Sequence, residues 1–549
     1  MNINSANTKK NIAYIALTTF WFYFFTGGKL INPFYVDWIF PSDTETHWLG
    51  WQFFKDQSLF IFPIFKNINY GLELGSSLVL NDSLAIMAIM FKPFSSFIPF
   101  EFQYFGIWTY ICFVLQGFIA MKIVSNFSDD LLIIVLSGLL FVMLPPFLWR
   151  LHGHFGLLGH WLILSAFLIY ISSKDLRLEL WTTLIILSLL INAYISAMLI
   201  GIFIADLIKY KIINPKVSSK RLILGFGKFI FIILSALVVF GYFMIGKGAG
   251  GKGFGKFNAN INSFLDPDQI WSLALGNLPT PEAGYEGFAF PGFGILLIVI
   301  IALITLITKK GVIKKNKIRV YVPIIIISIV AYIFALSNNV TFGQNIIFSY
   351  ELPNFLSFIT KTFRTSGRFI WIIFYLIVIG CFACLIQNYS RRILRIVFSL
   401  VVVVQFADLY EARKYFNLKF NSPTIVNQRS EAWSSPMVDP LWKDIAKQYD
   451  TINYVFTSNR PKDYFPISHF AAKNKMKINT GYFSRVSKKS AKIINLRLEK
   501  DIKNKNINEG TLYFIYDNKI WEFIKENYER DNYLVIELDN FKILAVALK

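Results

Sequence analysis

Apolar residues in this chain come in runs of about twenty, too long for strands and too uniformly apolar for surface helices. A helix needs roughly 20 such residues to cross the hydrocarbon core of a bilayer. Runs of this kind occupy about 11–30, 102–121, 131–149, 157–173, 180–194, 196–211, 221–245, 288–308, 319–337, 368–388 and 393–408. The pattern predicts about eleven transmembrane helices. The two runs between 180 and 211 are short, and also read as one long tilted helix. Beyond residue 408 the pattern changes. LWKDIAKQYD and IWEFIKENYE have helical spacing, whereas TINYVF, TLYFIYD, YLVIEL and FKILAVAL resemble strands. The expected fold is a predominantly α-helical polytopic membrane protein over 1–408, followed by a soluble α/β domain over 409–549.

The longest polar interruption lies between the first two spans, at about 31–101. It holds apolar pieces such as FKPFSSFIPF that are too short to span, which predicts helices lying on or dipping into the membrane surface. No internal repeat is evident, which argues against a repeat-built transporter.

Charge placement sets the sidedness. With the N-terminus inside, the expected inner segments carry 19 Lys/Arg in 62 residues, against 11 in about 160 for the outer loops. That asymmetry follows the positive-inside rule. It also favours two helices over 180–211, because one span fewer would place KKGVIKKNKIR outside. The first run follows Lys9 and Lys10 without a small-residue cleavage site, so it reads as a retained span rather than a signal peptide. The expected location is a bacterial cytoplasmic membrane, multi-pass, with a cytoplasmic N-terminus and the tail outside. The net charge of +21 is spent on this pattern, which excludes nucleic acid as the partner. Cys381 and Cys384 form a CxxC inside an apolar run and read as small helix residues, not a redox or zinc motif.

The densest outer-loop chemistry is DWIFPSDTETHW, with Asp43, Glu45 and His47 just after the first span. A carboxylate at the interface can deprotonate a hydroxyl on a lipid-borne substrate; a solvated acidic loop has the same composition. Glu73 in YGLELGSS and Asp82 in LNDS are flanked by apolar residues, as a cavity wall would be. In WRLHGHFGLLGHW, Arg150, His152, His154 and His160 cluster at the mouth of two spans, and Pro145-Pro146 breaks the span before them. Anion binding by Arg and His, a metal site and interfacial anchoring all fit this cluster. Arg364 and Arg368, four apart at the start of another span, are expected to share one helix face and to add to an anion site there. The run from Gly246 to Gly253 nearly spells a P-loop. It lacks the final Ser/Thr and a preceding strand, so it reads as a plain linker in preference to a lysine-bearing loop that closes over an anionic substrate. No required cofactor emerges; a divalent metal stays open.

An acid pair after span one (Asp43 and Glu45), a long outer loop, many spans and an outer α/β tail together resemble the GT-C class of membrane glycosyltransferases. The strings HWLGWQFF, NYGLELGSSLVLNDSL, WRLHGHFGLLGHWLIL and FRTSGRFIW look like a bacterial membrane family of unassigned function within that class. The resemblance implies a polyprenyl-phosphate-linked sugar donor, a glycan, lipid or protein acceptor, inversion at the anomeric carbon, and an outer-loop Asp as general base. Carried onto this chain, Asp43 is that base and Glu45 its neighbour or a metal contact. Arg150, His152, Arg364 and Arg368 as phosphate partners, with His154, His47, Glu73 and Asp82 around the substrate, are inferred from their chemistry instead. Two other readings remain: a flippase or transporter, or a polymerase or ligase, of lipid-linked glycans.

Overall fold

The computed structural model describes residues 2–40, 43–244, 253–281, 284–309, 315–427 and 433–547. Among them, five helices are long and apolar enough to cross a membrane: Phe105–Val124, Phe155–Ser172, Ile223–Phe240, Ile318–Leu336 and Ser366–Asn388. Two bent pairs raise the number to seven. Leu131–Val142 continues into Pro145–His152 at 44°, and Arg391–Asp408 into Tyr410–Asn421 at 54°. The first bend falls at Pro145-Pro146, as the sequence predicts, because proline cannot continue the hydrogen-bond ladder. The expected count of eleven is thus met only as far as seven. Length is one reason: Leu178–Leu189 has 12 residues and Phe293–Thr308 has 16, and at about 1.5 Å per residue both fall short of a roughly 30 Å core.

The region between 180 and 211 forms two helices, Leu178–Leu189 and Ala193–Ile213. Asn192 separates them and caps the second, its side chain accepting from the Tyr194 N–H at 2.9 Å. Ser188 and Ser196 Oγ, 2.8 Å apart, link the two. Asp206 and Lys209 form a buried ion pair at 2.5 Å on the second helix, with the Trp181 indole donating to Asp206 at 2.9 Å.

The chain forms two compact units that do not follow chain order. The first comprises Met1–Trp38, Tyr104–Ile233 and Gly251–Arg429. Its helices cross closely. A Cβ on Gly117 would lie 2.5 Å from both the Gly138 carbonyl and the Tyr14 hydroxyl, so only glycine admits this approach. Tyr14 donates to the Val114 carbonyl at 2.8 Å across the same contact. This unit also holds an antiparallel hairpin, β1 (Asn339–Phe342) and β2 (Asn345–Ser349), directly after the Ile318–Leu336 helix.

The second unit comprises Ile39–Gln103, Leu234–Gly250 and Ser430–Lys549, so the first loop packs with the tail. Its sheet contains β3 (Thr451–Tyr454), β4 (Lys477–Ile478), β5 (Thr511–Phe514), β6 (Tyr533–Leu538) and β7 (Phe541–Val546), in the order β4-β3-β5-β7-β6. β3 runs parallel to β4 and β5; β7 runs antiparallel to β5 and β6. Helices Leu441–Gln448 and Asn518–Asn527 lie where the apolar spacing predicts them. Tyr464–Lys473 and Lys488–Lys503 are two further helices of this unit. The first loop extends the sheet edge: the Ile478 N–H donates to the Asn69 carbonyl at 2.9 Å, and the Gly71 N–H to the Ile478 carbonyl at 2.8 Å.

Candidate functional site

In the first unit, three short turns carry a buried charge cluster. Arg150 lies on the turn Trp149–His152, Glu286 on Gly284–Gly287 and Arg368 on Ser366–Phe369. The last two turns press together: a Cβ on Gly367 would lie 2.8 Å from the Gly287 N atom. Arg368 grips Glu286 with two nitrogens, Nε to Oε2 at 2.9 Å and Nη2 to Oε1 at 2.7 Å. Arg150 Nη1 donates to Oε2 at 3.2 Å. All three side chains are buried, Arg150 completely. Burial alone would push the Glu286 carboxyl up. The Arg368 and Arg150 guanidiniums overcome that and hold it well below the usual glutamate range.

Two guanidiniums against one carboxylate leave one positive charge. Arg150 Nε and Nη2 are buried with no hydrogen-bond partner. Indole faces compensate in part: the guanidinium sits 4.3 Å from the Trp149 ring centroid and 4.8 Å from that of Trp371. Beside it, Gln116 Nε2 donates to the Tyr375 hydroxyl at 2.9 Å, and that hydroxyl lies 2.8 Å from His160 Nδ1.

The other candidates of this unit do not all join the cluster. The His152 ring packs 4.9 Å from both Trp149 and Phe416, and Lys419 Nζ donates to the His152 carbonyl at 2.8 Å. His154 is half-buried and adds to the field on Glu286. Arg364 does not share a helix face with Arg368. The regular helix begins only at the Ser366–Phe369 turn and Ile370, so Arg364 precedes it and lies near Gly253 instead. Most of the glycine–lysine run, residues 246–252, lies outside the described residues.

In the second unit, the helix Thr44–Lys55 is buried at every residue, with Asp43 exposed at its N-terminus. Asp43 keeps helical backbone angles and its carboxylate makes no capping bond to this helix, while its carbonyl accepts from Thr46 Oγ1 at 2.8 Å. Glu45 is buried and accepts from the Tyr464 hydroxyl at 2.6 Å. Burial, then Glu45, hold that phenol far above its ordinary range. His47 is buried with no partner on Nδ1. Burial lowers its pKa, and the nearby Asp82 and Asp43 oppose that only in part. Asp82 is half-buried at φ 53°, a backbone region that disfavours side chains. Glu73 is no cavity wall. It points outward from the turn Leu72–Leu74, whose buried residue is Leu74, and pairs with the half-exposed Arg497 at 2.7 Å.

Sequence reasoning missed Glu286, Tyr375 and Tyr464. Each is far along the chain from its partner, 136 residues in the case of Arg150 and Glu286, and no local spacing marks them. Among the described residues, no group of three or more His, Cys, Asp and Glu is placed to hold a metal ion.

A family model described as a domain of unknown function, DUF6311, matches residues 15–410, and the model of the DUF6311 C-terminal domain matches residues 441–546. No curated protein matches the chain. The first match takes in every member of the Arg150–Glu286–Arg368 cluster together with Asp43, Glu45 and His47, the second takes in Tyr464, and with well over half of its length covered the chain belongs to the DUF6311 family.

Proposed function

We propose that the protein is a GT-C class glycosyltransferase that moves a sugar from a polyprenyl-phosphate-linked donor to a glycan, lipid or protein acceptor at the outer face of the membrane. The observation that carries this reading is the buried pair of guanidiniums sharing one carboxylate. Its residual positive charge and the two unused Arg150 nitrogens suit a phosphate, whose negative charge grows as the glycosidic bond breaks. Asp43 takes the proton from the acceptor hydroxyl. The oxygen attacks the anomeric carbon opposite the phosphate, the bond from that carbon to the phosphate oxygen breaks, and the electron pair leaves on the polyprenyl phosphate. Configuration inverts. Asp43 is favoured over Glu45 as the base because its carboxylate is exposed, whereas Glu45 is buried against Tyr464. General-base assistance of this kind contributes roughly 10²–10⁴-fold.

The test is transfer from a radiolabelled polyprenyl-phosphate sugar in membranes that contain the protein. Asp43→Asn is expected to abolish transfer at normal expression, while Glu45→Gln retains part of it. Full activity in Asp43→Asn overturns the role of the base. No Arg150-dependent transfer from any lipid-phosphate donor overturns the reading as a whole.

A further inference from the structure

We infer that the β1–β2 hairpin and the segment after it form a lipid-immersed ribbon in the interfacial layer of the bilayer. β1 is tied inward. Asn258 Nδ2 donates to the Asn339 carbonyl at 2.7 Å, and Asn260 Nδ2 donates to the Gly343 carbonyl at 2.7 Å at the turn. β2 is the outer strand, and all five of its residues are exposed. Successive residues of a strand face opposite ways. Even so, Ile346 is 61% exposed, Ile347 57% and Phe348 60%, so both faces of β2 are bare. Phe355 and Phe358 follow at 78% and 77%. An apolar surface of this extent marks an interaction site.

Three features choose lipid as the occupant. The hairpin begins at Asn339, three residues beyond the end of the Ile318–Leu336 helix, and the segment ends at the Ser366–Asn388 helix; both are long and apolar enough to span. At no more than about 3.6 Å per residue, that linker keeps β1 at the membrane boundary. A protein partner docks on one face of a ribbon, whereas the interfacial layer surrounds both. The depth is bounded too. Among the described residues no strand pairs with the outer edge of β2, and the hydrocarbon core does not tolerate such open backbone groups, so the ribbon lies at the headgroup and upper acyl level, roughly 5–10 Å deep. Glu351 and Lys361 are the only charged residues in 338–363, so apolar burial rather than attraction to anionic lipid holds the segment.

The experiment places an environment-sensitive fluorophore on Phe348→Cys, with Cys112, Cys381 and Cys384 replaced by Ala, in phosphatidylcholine nanodiscs. Glu509→Cys, on the exposed surface of the tail, serves as the water reference. The expected result is blue-shifted emission at 348, quenched more by lipids with a shallow nitroxide than by lipids with a deep one. High salt or added anionic lipid leaves it unchanged. Emission matching the Glu509 site overturns the inference, and so does a blue shift without lipid quenching, which means that protein covers the ribbon. Ile346→Cys, labelled in the same way, repeats the measurement if the Phe348 variant fails to fold.

Discussion

The Arg150–Glu286–Arg368 cluster makes a ranked prediction, because its charges do not balance. Glu286→Gln keeps the shape of the side chain but leaves two buried guanidiniums facing a neutral amide. It weakens three charge-assisted hydrogen bonds, at 2.7, 2.9 and 3.2 Å. Breaking a buried pair in this way costs about 3–5 kcal/mol. Arg150→Met removes the surplus charge and leaves the bidentate Arg368–Glu286 pair neutral and intact. The lost contacts with Trp149 and Trp371, roughly 0.5–2 kcal/mol, are offset by no longer burying Arg150 Nε and Nη2 without partners. The net change is expected within about 1 kcal/mol of zero. Arg368→Met falls between the two, since it leaves Glu286 on a single 3.2 Å contact. Thermal unfolding in detergent, followed by circular dichroism, should rank the variants Glu286→Gln, Arg368→Met, Arg150→Met from least to most stable. Sugar transfer should be lost in Arg150→Met despite its stability. If Arg150→Met proves as destabilising as Glu286→Gln, Arg150 is a structural partner of the carboxylate and the anion-site argument fails.

Other consequences are open to test. Tyr464→Phe should destabilise the second unit by about 1–3 kcal/mol, because Glu45 loses its 2.6 Å donor while buried, and adding Glu45→Leu should restore part of the loss in a double-mutant cycle. His469, packed against Trp48, Phe100 and Trp433, is held at about 4 by burial and by Lys473. A folded pKa below the ordinary 6.5 means that the unfolded chain binds more protons between those values, so stability is complete above pH 6.5 and falls as pH drops toward 4. The loss is at most about 3 kcal/mol, and His469→Phe should flatten that stretch of a pH-dependent unfolding curve. Lys92 is buried with its amine 3.7 Å from the Phe54 ring centroid, and burial lowers it to about 8. Stability should therefore rise with pH from about 8 to 10.5, and Lys92→Met should remove that rise in alkaline unfolding titrations.

Part of the molecule was legible from local pattern. The long apolar runs, the break at Pro145-Pro146 and most strands of the tail depend on residues close together in the chain, where periodicity and proline act directly. Arg150 and Arg368 stood out for a similar reason, since charge beside an apolar run is conspicuous wherever it goes. Their chemistry also suggested that Arg150 and Arg368 serve one anion site; what was not legible is the carboxylate they share, Glu286, which arrives on a turn between glycines from elsewhere in the chain. Arg364 shows the limit of spacing arguments. A separation of four implies a shared face only inside a helix, and the helix starts after it. Glu73 shows the limit of flanking arguments, since a single 3₁₀ turn sent its neighbour Leu74 inward and the carboxylate out to Arg497.

By itself, then, the sequence determined the elements and the sign of the charges beside them, because helix formation, apolar partition and proline breaks are set within a few residues. Tertiary structure alone decided how those charges are partnered. It closed Glu45 with a tyrosine 419 residues away, and it left Asp43 open two positions earlier. It packed the first loop with the tail rather than with its neighbours in the chain. The reason is that an ion pair or a buried hydrogen bond depends on distances of a few ångströms between segments, and those distances are set by packing, which no local spacing encodes.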